Sequence, residues 1–264
     1  MKKLVTICAV AVLMFSMSVP LAFAVTISVP GESCIYFAGQ TQPDLEAMYP
    51  PSAGWEYVPW EPGAPPWNQH WNFHNDTAPW EGVVRATNGE NPDIIARTAS
   101  SLIPTFIDVT SWQAAGVKLS ITAIGVWGHS PRPSCHSGPD GYWWWLETDE
   151  EYDDLGISRI YAPLNSLVGV FLGDDLPDPA VTPATLTLDI DDMTTPALQQ
   201  AFVIGSILEN ITIPSGATRL FLGLHDECEW WNNCGDMNVT VTPEPTTLLL
   251  LGLGGLTILR KRRG

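Results

Sequence analysis

Residues 225–236 read HDECEWWNNCGD, and they hold the side chains in this sequence best suited to binding chemistry. Asp226 offers a carboxylate, Asn232 and Asn233 offer amide oxygens, and the backbone between them offers carbonyls. Hard oxygen donors of this kind suit calcium, which takes about six to eight oxygen ligands in flexible geometry. Adjacent asparagines point different ways in an extended chain and converge only in a turn. A bridge between Cys228 and Cys234 would hold such a turn before an ion arrives. The same residues also describe a plain surface reversal, with Asn232-Asn233 making the turn and Trp230 and Trp231 packed beneath it. Residue types and spacing leave both readings open.

Other constellations are weaker. Trp143-Trp144-Trp145 follow the turn Gly138-Pro139-Asp140-Gly141. In a strand successive side chains point to opposite faces, so three rings in a row cannot all enter one core. An exposed ring suits the apolar face of a sugar, which makes Trp144, or Trp230 and Trp231 on the loop, candidate sugar platforms. Packing of these rings against the proline-rich N-terminal segment is the alternative. His70 and His74 have the spacing of a zinc helix, but the Glu of that motif is missing and Pro66 lies nearby. Asp149-Glu150-Glu151 and the trio Asp189, Asp191 and Asp192 contain enough acid for a glycosidase pair, yet nothing brings two carboxylates to one cleft. No nucleophile triad, P-loop or dinucleotide fingerprint is present. The expectation is a protein that is not an enzyme, with a glycan-processing enzyme the least favoured alternative.

The elements that must position these residues are strands. Val117, Leu119, Ile121 and Ala123 alternate with polar residues, as do Leu186, Leu188 and Ile190, then Leu220, Leu222 and Leu224, and finally Met237, Val239 and Val241. Period-two alternation of this kind predicts half-buried strands. LVGVFLG from Leu167 and AFVIG from Ala201 are continuous apolar strands, and turn signals such as Gly173-Asp174-Asp175 and Pro214-Ser215-Gly216 separate them. With no convincing amphipathic helix, the predicted fold is all-β: an antiparallel β-sandwich, jelly-roll or lectin-like, over residues 106–242. Residues 25–105 alternate prolines with Trp55, Trp60, Trp67, Trp71 and Trp80. That composition predicts an irregular, extended segment packed on the sandwich.

Both ends carry targeting features. Residues 1–24 join Lys2 and Lys3 to an apolar run ending Ala22-Phe23-Ala24, a secretory signal peptide for the Sec export machinery, and Cys8 leaves with it. Residues 243–264 begin with Pro243-Glu244-Pro245, continue through an apolar span short of the ~20 residues of a comfortable membrane helix, and end in a basic anchor of Arg260, Lys261, Arg262 and Arg263. This tail resembles the PEP-CTERM sorting signal of Gram-negative bacteria that make an exopolysaccharide. The resemblance implies a transient inner-membrane anchor, recognition by an exosortase, removal of the tail, and release to the cell surface or extracellular matrix. Between the two ends, residues 25–242 keep six basic residues against twenty-eight acids, a formal charge of −22. Such a surface repels nucleic acid and concentrates cations. Four cysteines remain in the exported part, Cys34, Cys135, Cys228 and Cys234. An even number in an exported chain predicts disulfides, with three connectivities open and Cys228–Cys234 the local one.

A second resemblance lies in the sandwich. VKLSITAIGVW, SGPDG, NSLVGVFLG, QAFVIG, PSGATRLFLGLHD and WNNCGDMNVTV occur in the order found in the calcium-dependent galactophilic bacterial lectins of PA-I type, over roughly residues 109–242. The resemblance implies that Asp226, Asn232 and Asn233 bind calcium. A carbonyl of Glu229 or Trp230 and one from the segment before Gly138 would add protein ligands, and sugar hydroxyls would complete the shell. Two departures limit it: the loop from Asp226 to Asn232 is one residue shorter than in those lectins, and EEYDDLGIS at 150–158 lacks the His and Gln that grip their sugar. Galactose specificity therefore does not carry over. The implied protein is a surface or matrix protein that binds calcium and an exopolysaccharide or other glycan, or a structural matrix protein that binds no defined sugar.

Overall fold

The computed structural model describes residues 23–41, 43–44, 102–129, 136–148, 155–226, 230 and 233–244, and the backbone of 55–58 and 83–86. In chain order the strands are β1 (Val25–Pro30), β2 (Trp55–Val58), β3 (Val83–Ala86), β4 (Phe106–Asp108), β5 (Lys118–Gly128), β6 (His136–Ser137) and β7 (Trp145–Glu147). They continue with β8 (Ile160–Pro163), β9 (Leu167–Leu172), β10 (Leu186–Thr187), β11 (Ala201–Val203), β12 (Ile207–Thr212), β13 (Arg219–Leu224) and β14 (Cys234–Pro243).

One layer is an antiparallel sheet in the order β1-β14-β5-β12, with β6 paired to the end of β5. Its residues alternate as the sequence predicts. Leu119, Ile121 and Ala123 of β5 and Met237, Val239 and Val241 of β14 are buried, while Lys118, Thr122, Asn238 and Thr242 are exposed. The register sets Val241 opposite Ile121 and Val239 opposite Ala123, so the apolar side chains share one face. The second layer, also antiparallel, runs β11-β9-β13-β4. Its central strands are buried along their length: all of β9, and β13 from Leu220 onward. The apolar faces of the two layers form one core, and the fold is an all-β sandwich, as predicted. A third, smaller sheet, β10-β8-β7, and a separate β2–β3 pair complete the described strands.

Several expectations need correction. Leu220, Leu222 and Leu224 predict a strand buried on one face only, yet Phe221 and Gly223 are buried as well. The second face is covered by the chain at Ser33–Ala38, which includes a short 3-10 turn, Ile35–Phe37. The Leu224 amide donates to the Ser33 carbonyl at 3.1 Å, and Cys34 bridges to Leu224. A Cβ at Gly223 would stand 2.5 Å from the Ser33 oxygen, so only glycine lets the two backbones come this close. The N-terminal segment is therefore not merely packed on the sandwich at its start. Val25, Ile27 and Val29 alternate with Thr26, Ser28 and Pro30, and β1 is a paired strand of the first sheet. A β2–β3 pair also lies within the stretch read as irregular.

The predicted strand Leu186–Ile190 stops after Thr187. Asp191 accepts a hydrogen bond from the Thr187 amide at 2.8 Å, Asp189 takes a left-handed φ of 72°, and Ile190 is exposed. A turn closed by an aspartate side chain has replaced the pleat.

Candidate functional site

β13 belongs to one layer and β14 to the other, so residues 225–233 must carry the chain across the end of the sandwich. His225 and Asp226 leave β13 while still buried, and Asn233 is buried immediately before β14. Trp230 is 2 % exposed and anchors the crossing. Its indole N–H donates to the Leu224 carbonyl at 2.9 Å, and its ring meets Tyr36 edge-on at 5.9 Å. The Tyr36 hydroxyl in turn bonds Thr148 Oγ1 at 2.7 Å. The Asn233 amide donates back to the Trp230 carbonyl at 3.1 Å, which closes a tight turn.

Two further segments reach this end. Asn165 and Ser166 pair with the backbone of His225 through Asn165 N–H to His225 O and His225 N–H to Ser166 O, each 2.9 Å. The Trp127 indole donates to the Asn165 carbonyl at 2.6 Å. The Gly138–Gly141 turn is joined to the same segment, since the Leu167 amide donates to the Pro139 carbonyl at 2.9 Å and the Tyr142 amide to the Leu164 carbonyl at 2.6 Å. The end of β13, the Asn165 corner and the glycine turn thus converge at one end of the sandwich.

The electrostatics are unusual for a surface-acidic protein. Burial pushes the His225 imidazole down to about 4, against its hydrogen bonds to the carbonyls of Leu146 and Ala162, which favour the charged form. The ring is neutral at pH 7, with Nε2–H donating to Leu146 O at 3.3 Å. Burial also lowers His129, whose Nδ1 accepts from the Asn165 side-chain amide at 3.2 Å. The Asn233 side chain is 3 % exposed. Neither its Oδ1 nor its Nδ2 has a hydrogen-bond partner among the described residues. Leaving a buried amide unpaired costs about 1–3 kcal/mol, so these orphaned polar atoms mark a place where a ligand would restore what folding loses.

The donor set fits a hard cation. Asp226 gives a carboxylate and Asn233 an amide oxygen. Among the described residues no three His, Cys, Asp or Glu side chains cluster in metal-holding geometry. A shell here would therefore be completed by amide and carbonyl oxygens, the mixture that suits calcium better than zinc.

Other predicted residues fall elsewhere. Asn232, Trp231, Cys228, Glu229 and Cys135 lie outside the described residues, and so do Pro245 and the basic anchor Arg260–Arg263. Cys34 is buried beside β13, and Cys234 Sγ lies 3.2 Å from His136 Nε2. As a sugar platform Trp230 is corrected, because its ring is spent on the core. Trp144 is 54 % exposed and Trp143 79 %. They line an open groove of about 530 Å³ with Trp145, Tyr161, Leu188 and Ile190. Asp191 and Asp192 spend their carboxylates on their own turn, on the amides of Thr187 and Thr194. The hydrogen bonds from Thr194 hold Asp192 below the usual carboxylate range. His225, Asn165, Ser166 and His129 were not predicted as part of the site. The sole sequence signal for them is polar residues abutting apolar strands in GVWGHS, PLNSLVG and LGLHD.

Residues 241–263 match the PEP-CTERM protein-sorting motif. The chain therefore carries the address of an exported protein that is sorted by an exosortase and bound for the cell surface or extracellular space. A comparison with curated proteins finds none that matches. Among solved structures, one described as the EclA N-terminal domain, a PllA-like lectin, aligns at a TM-score of 0.28 and 17 % identity, over 49 % of this chain and 78 % of that one.

Proposed function

We propose that the sandwich is a calcium-binding, non-enzymatic module of a surface or matrix protein, and that its ligand class is carbohydrate. The observation that carries this reading is the buried Asn233 side-chain amide without a partner among the described residues, in the crossing that also buries Asp226. A cation would engage the Asn233 Oδ1 and the Asp226 carboxylate together. Asn232, a carbonyl of Glu229 or Trp230 and one from before Gly138 would add oxygens, following the resemblance to the PA-I type lectins. The formal charge of −22 over residues 25–242 supports the same reading, since an acidic protein meets an anionic polysaccharide with less repulsion when a divalent ion bridges the two.

The test is titration calorimetry of calcium into residues 25–242, oxidised, beside an Asp226→Ala/Asn233→Ala variant. Saturable binding in the parent that disappears in the variant is the expected result. Binding that is absent, or equal in both, overturns the reading. A glycan array run with and without calcium then tests the carbohydrate clause.

A second reading has its own observation. Trp230 ties the crossing into the core through Leu224 and Tyr36, which is what a purely architectural loop in a structural matrix protein would need. Calcium binding without a calcium-dependent glycan hit favours this reading.

A further inference from the structure

The strand β14 does not stop where the sorting motif begins. Its last register pair is Pro243 with Leu119, so the first proline of Pro243-Glu244-Pro245 is a buried residue of the sheet. Glu244 is held as well. Its amide donates to the Lys118 carbonyl at 2.7 Å, and its Oε1 accepts from the Ser120 hydroxyl at 2.6 Å and from the Asn210 amide at 3.1 Å. Lys118 and Ser120 lie on β5 and Asn210 on β12, so the acid reaches past the neighbouring strand to the next. Asn210 is available because the β5–β12 register slips between Leu208 and Ile211. Asn210 sits there at a left-handed φ of 62°. Its amide bonds the carboxylate in place of a ladder partner.

Chain length tightens the constraint. The apolar span of the tail begins at Leu248, four residues beyond Glu244. At about 3.3–3.6 Å per residue, even a fully extended chain covers only about 14 Å. While the tail is in the membrane, the folded sandwich stands against the bilayer with Pro243 and Glu244 held at the end of β14.

We propose that the folded sandwich masks its own sorting motif, and that the processing enzyme gains Pro243-Glu244-Pro245 only when the end of β14 leaves the sheet. The three contacts to Glu244 form an autoinhibitory clasp, with Ser120 and Asn210 as its jaws. Processing is then set by an opening equilibrium as well as by enzyme encounter. This inference rests on the sorting motif and is independent of the calcium reading.

The experiment uses the full chain in exosortase-bearing cells. Loss of the tail is followed by pulse-chase for the parent, for Ser120→Ala, and for a variant with six Gly/Ser residues inserted between Thr242 and Pro243. Ser120→Ala should be processed at least about fivefold faster, the factor that one hydrogen bond makes in an opening equilibrium. The insertion should match or exceed it, because it lifts the motif off the sheet. Equal rates in all three chains overturn the proposal. Hydrogen exchange on the purified unprocessed chain provides a second arm that does not depend on the enzyme. A Glu244 amide protected in the parent and exposed in Ser120→Ala supports the clasp, and an unprotected amide in the parent refutes it.

Discussion

Gly223→Ala is the substitution from which the covering of β13 can be measured. The added methyl would lie 2.5 Å from the Ser33 carbonyl oxygen and 3.2 Å from the Ile35 nitrogen. Both are backbone atoms, so no side chain can swing aside. The segment Ser33–Ile35 must withdraw by more than about half an ångström before the contact is tolerable, and overpacking of this kind costs about 1–3 kcal/mol. The same withdrawal stretches the 3.1 Å hydrogen bond from the Leu224 amide to Ser33, a loss of about 1 kcal/mol. The expected destabilisation is about 2–4 kcal/mol, read as a lower urea midpoint with an unchanged m-value. Gly138→Ala is the control, since a Cβ there meets nothing within 4 Å, and it should stay within about 0.5 kcal/mol of the parent. A Gly223→Ala loss as small as the control's would refute the account of how the N-terminal segment is held.

Three further outcomes follow from the site. Replacing the amide in Asn233→Leu should leave stability in EDTA unchanged or raised by about 1 kcal/mol, since no partner among the described residues is lost, while abolishing any rise in Tm on adding calcium; thermal melts with and without calcium check both. Because His225 titrates near 4 when folded and near 6.5 when unfolded, its contribution is complete above pH 6.5 and declines as the pH falls. Between pH 6.5 and 5 it should remove about 2 kcal/mol, a slope that urea melts would find flattened in His225→Gln. Trp144→Ala should move stability by no more than about 0.5 kcal/mol yet weaken retention on any glycan the array identifies, whereas Trp230→Ala should cost about 3–5 kcal/mol by emptying the core.

The strands that frame the site were legible because each keeps its apolar residues on one face over several repeats. Lys118–Ala123 and Met237–Val241 needed nothing beyond the period of two. Leu186–Ile190 shows where that signal fails: the alternation is present, but the Asp191 carboxylate bonds the Thr187 amide and outcompetes a ladder partner. The role of Ser33–Ala38 was hidden because its evidence lies in a glycine at position 223, nearly two hundred residues away. Asp226 and Asn233 could be singled out by type as oxygen donors, although type alone left a plain turn equally open. Neutral His225 and the Asn165 corner could not, because their meaning depends on burial and on carbonyls supplied by another loop.

The pairing of β1 with β14 sets Val25 opposite Val241, and β14 also pairs along its whole length with β5. The strand exported first therefore waits for the one exported last. Until residue 243 has crossed the membrane, β1 has no sheet partner among the described strands and β5 lacks the neighbour along one of its edges. Contacts this distant in sequence form slowly, and a chain in that state presents open sheet edges to any other chain nearby. A tail held in the bilayer during this interval would tether each unfinished molecule at its point of exit. The sorting signal would then be a holdfast for folding before it serves as an address.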